Sequence, residues 1–155
     1  MEKKMTLANG CNHVTVITEN LDRFIAFYRD VFEAEVVLDL SEGDMRHALI
    51  DVGGGFCLHP FQFPKTSDNA RGTDAIFNRG HIDHFAINFD TETNFEKVRR
   101  RLHAAGATTG RVRDFGMVRI MTFEDPDGMN CEIAIWGNEA PRTMEASTVE
   151  YLEPA

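Results

Sequence analysis

The chain has 155 residues, about the length of one ordinary domain, and 43% of them are hydrophobic, as in a globular protein. Its net charge of -9 should repel phosphate backbones and anionic lipid headgroups, so we expect neither nucleic acid nor a membrane as partner. Three cysteines without a Cys-x-x-Cys pair, and no secretory signal at the N-terminus, predict a cytoplasmic protein without a disulfide framework.

The first half of the chain predicts one strand, one helix and three further strands. Residues 12–18 alternate and are rich in β-branched side chains, which is typical of a strand. Asn20 is the expected N-cap of the helix that follows. The apolar stripe of that helix consists of Leu21, Phe24, Ile25, Tyr28, Val31 and Phe32. Three short strands are then predicted at residues 36–40, 46–52 and 56–61.

The second half repeats this order. Residues 83–89 predict a strand, and the capping-box pattern from Thr93 to Glu96 predicts the start of a helix that ends at Gly106. Three further strands are predicted at residues 108–112, 118–123 and 130–136. On this second helix, the run Arg99-Arg100-Arg101 is expected to lie on the solvated side.

The two halves also share their spacing. His84 follows His13, and Phe95 follows Phe24, by the same 71 positions. A common offset across a strand and a helix indicates an internal duplication. We therefore predict an α+β fold of paired βαβββ modules, whose curved mixed sheet forms a cup.

The predicted domain organisation follows from this duplication. One domain spans residues 10–137, with modules at 10–62 and 81–137 and a connector at 63–80. Residues 138–155 are polar and are expected to form a loosely held tail.

Side-chain alternation along the strands suggests where chemistry would occur. The large apolar residues should face the helices, which places His13, His84 and Glu132 together on the opposite side, in the cup. Two imidazoles and one carboxylate, with other positions open, form the ligand set of non-haem Fe(II) oxygenases. We expect one divalent metal ion there, with Fe(II) slightly favoured over Mn, Ni, Co or Zn.

Several motifs then resemble the vicinal oxygen chelate superfamily, which includes glyoxalase I, extradiol dioxygenases and the fosfomycin- and bleomycin-resistance proteins. They are Asn12-His13-Val14-Thr15, Phe27-Tyr28-Arg29-Asp30, Asp83-His84-Phe85-Ala86 and the segment from Phe123-Glu124-Asp125-Pro126-Asp127-Gly128 to the strand residue Glu132. The resemblance implies paired βαβββ modules, metal ligands at His13, His84 and Glu132, and subunits that associate as a homodimer.

The last strand of the first module leaves one question open. Aligning the helix ends places His59 opposite Glu132, whereas aligning the glycine turns places Leu58 there. His59 is therefore either a fourth ligand, an acid–base group or a structural residue that faces the helix. His47 is a second candidate for acid–base catalysis.

The expected substrate is a small molecule that chelates the metal through two neighbouring oxygens. Thr15, Asn88 and Trp136 are the candidate substrate-binding residues, and Arg142 loosely matches a position in the fosfomycin-resistance proteins. An Fe(II) extradiol-like dioxygenase is slightly favoured, although Tyr28 and Tyr151 are poorly placed for that chemistry. The alternatives are a glyoxalase-like lyase or isomerase and a metal-free binding protein of the bleomycin-resistance kind.

Overall fold

A computed structural model of the protein describes residues 11–65, 82 and 84–152. The chain divides into two compact units, one within residues 1–66 and the other within residues 67–155. The division falls in the predicted connector, of which residues 66–80 lie outside the described part, as does Asp83. No helix in the described part of the chain is long and apolar enough to cross a membrane.

The first unit is a strand, a helix and three strands, as predicted. Its elements are β1 (His13–Ile17), α1 (Leu21–Phe32), β2 (Glu35–Glu42), β3 (Met45–Asp51) and β4 (Cys57–Gln62). The sheet order is β1-β4-β3-β2, in which β1 is parallel to β4 and the other pairs are antiparallel. The non-consecutive pairing of β1 with β4 requires the crossover that α1 provides.

Helix α1 forms where its sequence predicts. The side chain of Asn20 accepts a hydrogen bond from the backbone N–H of Arg23, which caps the first turn. The helix ends at Glu33, which takes the left-handed conformation at φ 60°. Its predicted stripe packs on one face of the sheet, where Leu21, Tyr28 and Leu58 are fully buried.

The second unit repeats the first and adds one strand. Its elements are β5 (Phe85–Phe89), α2 (Glu92–Ala104), β6 (Val112–Asp114), β7 (Val118–Glu124), β8 (Asn130–Trp136) and β9 (Thr148–Glu150). The sheet order is β5-β8-β7-β6-β9, so its first four strands have the order of the first unit. The two units thus have the predicted α+β architecture of βαβββ modules.

Two predicted boundaries in the second unit were wrong. Helix α2 is capped by Thr91, whose hydroxyl accepts from the N–H of Asn94, rather than by Thr93. Thr91 has the extended backbone that an N-cap needs, so the helix begins one residue after it. The strand predicted at residues 108–112 forms instead at β6, because Gly110 adopts a φ of +75° that interrupts extended backbone.

The C-terminal residues also differ from the prediction of a loosely held tail. Residues 148–150 form β9, which pairs with β6 and covers that edge of the sheet. Glu150 accepts hydrogen bonds from Arg99 and Arg119, which fastens the strand to helix α2 and strand β7. The tail is held because these side chains supply the partners that its composition did not reveal.

The expectation that Arg99 lies on the solvated side of its helix was wrong as well. Its side chain is 1% exposed, whereas the neighbouring Arg100 is exposed. The Nε of Arg99 donates to the carbonyl oxygen of Gly110 at 2.8 Å, and its Nη1 donates to Glu96 and Glu150. A guanidinium can be buried when its donors are satisfied in this way.

Candidate metal and substrate site

Each sheet has one face under its helix and one face on which no helix of the described residues packs, which we call the open face. In the second sheet the helix-covered face of β8 carries Cys131 and Ile133, both fully buried. Glu132 alternates with them and therefore lies on the open face. The parallel ladder pairs Glu132 with Ala86 of β5, two residues after His84.

His84 and Glu132 come together on this open face. The Nε2 atom of His84 lies 3.7 Å from an Oε of Glu132. Two donors bound to one ion at about 2.0–2.2 Å are themselves separated by roughly 3–4 Å, so this pair fits a shared divalent cation. The side chain of His84 is 44% exposed and that of Glu132 15%, which keeps the imidazole accessible while the carboxylate is partly shielded.

The first sheet carries the equivalent positions in the same register. Its parallel ladder pairs His13 with Cys57 and Thr15 with His59. His59 therefore stands to Thr15 as Glu132 stands to Ala86. Leu58 is fully buried under α1. The register thus matches His59, and not Leu58, with Glu132, and places His59 on the open face.

His13 is oriented by its neighbour in the sequence. Its Nδ1 lies 2.7 Å from the side-chain oxygen of Asn12, which can only accept, so Nδ1 is the donor and the tautomer with its lone pair on Nε2 is the one that satisfies this hydrogen bond. Metal-binding histidines commonly donate their second ring nitrogen in this manner. Sequence reasoning missed this role of Asn12, although the Asn-His pair itself was recognised.

His13, His59 and His47 lie near one another on the open face of the first sheet. The rings of His13 and His59 are 5.6 Å apart, and Nδ1 of His47 lies 2.9 Å from Nε2 of His59. His47 is 8% exposed and stacks on Phe61 at 4.9 Å. Its Nε2 is buried without a hydrogen-bond partner among the described residues.

Burial and neighbouring charge fix the protonation of two groups on this face. Burial lowers the pKa of His59, and the adjacent His47 and His13 lower it further, so the imidazole is neutral at neutral pH. Burial raises the pKa of the Cys57 thiol, and Asp51 adds to this shift. Cys57 is therefore protonated, which is unsuited to a nucleophile.

The three predicted substrate-binding residues all lie on open faces. Thr15 is exposed on the first sheet, and Asn88 is exposed on the second. Trp136, at the end of β8, is 67% exposed. The two tyrosines do not join them, because Tyr28 is fully buried within α1 and Tyr151 follows β9 on the surface.

Arg142 is tied to carboxylates rather than left free for a substrate. Its Nη2 donates to Glu139, and its Nη1 lies 3.6 Å from Asp114. Within the described ranges, no group of three or more His, Cys, Asp or Glu side chains is arranged to hold a metal ion. The structure therefore brings together the pair His84–Glu132, and separately His13 with His59.

The comparisons with known proteins identify the family. The sequence model of the glyoxalase/bleomycin resistance protein/dioxygenase superfamily matches residues 10–133. The chain belongs to this superfamily, as its motifs predicted. A search of curated protein sequences gives no match.

Solved structures share the fold at low sequence identity. A glyoxylase/bleomycin resistance protein/dioxygenase domain from Frankia sp. EAN1pec is 19% identical with a TM-score of 0.70, covering 83% of this chain and 93% of its own. Lactoylglutathione lyase from Agrobacterium tumefaciens is 24% identical with a TM-score of 0.57, covering 84% and 96%. The fosfomycin resistance protein FosX from Listeria monocytogenes is 22% identical with a TM-score of 0.56, covering 90% and 98%.

Proposed function

We propose that this protein is a divalent-metal-dependent enzyme that acts on a small substrate through two neighbouring oxygens of that substrate. The observation that carries the proposal is the pair His84–Glu132, whose donor atoms are 3.7 Å apart on an open face. His13 is the proposed third ligand, because Asn12 leaves its Nε2 free and its position in β1 matches that of His84. The metal would act as a Lewis acid on the substrate oxygens.

His59 is proposed as the acid–base group, positioned by His47. Two arrangements of the protons are possible in this pair. If Nδ1 of His47 donates to Nε2 of His59, the buried Nε2 of His47 carries only a lone pair. If Nε2 of His59 donates instead, Nε2 of His47 carries a buried N–H without an acceptor among the described residues. The first arrangement is preferred because orphaned buried N–H groups are rarer than unpaired acceptors. His59 then presents Nδ1–H, which can donate a hydrogen bond to a substrate oxygen, and it takes up a proton only at Nε2, by giving up the hydrogen bond from His47.

This arrangement leaves three protein ligands, as in a facial triad, and keeps an Fe(II) extradiol-like dioxygenase as the first choice of reaction. The runner-up is a glyoxalase-like lyase or isomerase, in which a base moves a proton next to a polarised carbonyl. If His59 were instead a fourth ligand, which its register with Glu132 would allow, fewer positions would stay open on the metal and the runner-up would be favoured.

Metal titration of the full-length protein tests the ligand set. Fe(II), Mn, Ni, Co and Zn are titrated into the metal-free protein, with circular dichroism confirming that each variant is folded. We expect tight binding of one ion per site. Binding should be lost in His84→Ala and Glu132→Gln. It should be retained in the control variant His103→Ala, because His103 is an exposed histidine of α2. Absence of binding by all five ions would favour the metal-free binding protein.

The role of His59 is tested in the same titration. If His59 is an acid–base group, His59→Ala should leave the metal affinity within about threefold of wild type. If His59 is a ligand, His59→Ala should lower the metal affinity as much as His84→Ala does. Oxygen uptake by the Fe(II)-loaded protein with a catechol panel then identifies a dioxygenase. Anaerobic turnover of thiol-hemiacetals with Ni identifies the lyase or isomerase instead.

The proposed ligands come from both units, which bears on the proposed homodimer. His13→Ala and Glu132→Gln proteins are mixed, unfolded together and refolded. If a site draws its ligands from two chains, about a quarter of the sites should regain metal binding, because each mixed dimer contains one intact combination. If each site lies within one chain, the mixture should bind no metal. A monomer by light scattering would overturn the homodimer.

A further inference from the structure

Arg113 lies on the same open face as Glu132. The antiparallel ladders pair Arg113 with Ile120, and Ile120 with Ala134, so the three side chains share one face. Ala134 is two residues from Glu132 and shares its face. Two strand spacings, about 10 Å, separate the backbone of Arg113 from that of Ala134. The guanidinium of the half-buried Arg113 can therefore be reached by the far end of a small molecule that is held near Glu132.

Arg113 differs in its hydrogen bonding from Arg46, Arg99, Arg119 and Arg142, whose side chains are also buried or half-buried. Those arginines bond carboxylates: Arg46 with Asp22 and Asp39, Arg99 with Glu96 and Glu150, Arg119 with Glu92 and Glu150, and Arg142 with Asp114 and Glu139. Arg113 instead donates from Nη1 to the hydroxyl of Ser147 at 2.8 Å, and no carboxylate of the described residues pairs with it.

Ser147 fixes the guanidinium without neutralising it. Its hydroxyl donates to the carbonyl oxygen of Met144 at 2.6 Å and accepts from Arg113, so it has no proton left for a ligand. The remaining N–H donors of Arg113 have no acceptor among the described residues, and their planar fork suits the two oxygens of an oxyanion. In a chain with 25 acidic and 16 basic residues, a half-buried cation that no carboxylate of the described residues neutralises is favoured when a ligand supplies the opposite charge.

We propose that Arg113, held by Ser147, is an oxyanion subsite on the open face of the second sheet. It would take the carboxylate or another oxyanion group of a small organic acid whose other oxygens would reach the proposed metal. This assignment of the substrate class rests on the proposed function, whereas the affinity of the subsite for an oxyanion does not require the metal. Arg113 is thus a specificity-determining residue, and Ser147 is a positioning residue.

Anion titration of the metal-free full-length protein tests the subsite. Sodium acetate and inorganic phosphate are added at constant ionic strength while the arginine Nε–H signals are followed by NMR. We expect saturable shifts of the Arg113 signal, with chloride producing none. Affinity should fall about tenfold to a hundredfold in Arg113→Met, and less in Ser147→Ala, while Arg100→Met matches wild type. Stronger binding of acetate indicates a carboxylate substrate, and stronger binding of phosphate a tetrahedral oxyanion; either supports the subsite.

The outcomes separate the subsite from the metal site. Saturable binding that depends on Arg113, in a protein that binds no metal, supports the subsite and removes the proposed function. Metal binding without saturable anion binding, or anion binding unchanged in Arg113→Met, overturns the subsite and leaves the proposed function standing. Arg113→Lys keeps the charge without the fork and should bind with intermediate affinity, which controls for misfolding of the methionine variant.

Discussion

Replacing Arg99 by methionine should destabilise the second unit by about 2–3 kcal/mol. Methionine fills most of the space of the buried stem but leaves the carbonyl oxygen of Gly110, which is buried, without its donor, at about 1–3 kcal/mol. The carboxylates of Glu96 and Glu150 are 28% and 56% exposed, so they regain water and each adds less than about 1 kcal/mol. The desolvation of the guanidinium itself is relieved, which offsets part of the loss.

Urea and thermal unfolding measure this change. For a chain of this length the expected loss lowers the melting temperature by about 4–10 °C. The control variant is Arg100→Met, which changes the next residue of the same helix, whose side chain is exposed. Its free energy of unfolding should stay within about 0.5 kcal/mol of wild type. Equal effects of the two substitutions would refute the reasoning, because then the buried bonds of Arg99 contribute nothing beyond a surface charge.

Hydrogen exchange locates the effect. Arg99 also bonds the backbone oxygen of Glu150, so its loss should release β9 first. The β9 amides should lose protection in Arg99→Met before those of β7, which is fastened to β8 over its whole length. Since Ser147 directly precedes β9, the same variant should also loosen the contact between Ser147 and Arg113.

Three further predictions concern single groups. Arg99 holds the pKa of Glu150 below its usual value. The ionised Glu150 therefore stabilises the fold fully above a pH of about 4.3, and this contribution is lost as the pH falls further. Glu150→Gln should flatten this part of the stability–pH curve. His47→Asn should preserve the ring environment of His59, seen in its 15N signals, whereas His47→Leu should change it, because only asparagine can replace the Nδ1 donor. Gly116→Ala should cost about 2–3 kcal/mol in urea unfolding, because φ is +79° and the added Cβ would collide with the backbone oxygen of Ala140.

Much of the fold was readable because it rests on periodicity and repetition. The alternation of residues 12–18 and the stripe of α1 each indicate one buried face, and the repeat at 71 positions indicates two similar modules. Strand β9 was not predicted, since three residues in a polar segment carry no periodic signal. Its position depends on tertiary contacts of Glu150 with Arg99, which lies 51 positions away.

The sequence predicted on which face of a strand each candidate residue lies, but not which residues of neighbouring strands are paired. Alternation gave the open-face position of His13 and Glu132. The choice between His59 and Leu58 needed the ladder register, because the turn between β3 and β4 contains three consecutive glycines, and the strand pairing matches Gly55 rather than Gly54 with Gly128. The hydrogen bond between His47 and His59 crosses diagonally between strands, and no spacing in the sequence specifies it.

The two modules place different donors at equivalent positions, and this difference has an electrostatic consequence. The first strands both supply histidine, but the last strands supply neutral His59 and the carboxylate of Glu132. A divalent ion held by one carboxylate and neutral imidazoles retains a net charge of about +1, whereas a second carboxylate would cancel it. A site of net positive charge favours a substrate that binds as an anion. Arg113 on the same face as Glu132 adds to that preference, so the proposed ligand set and the proposed oxyanion subsite select the same class of substrate.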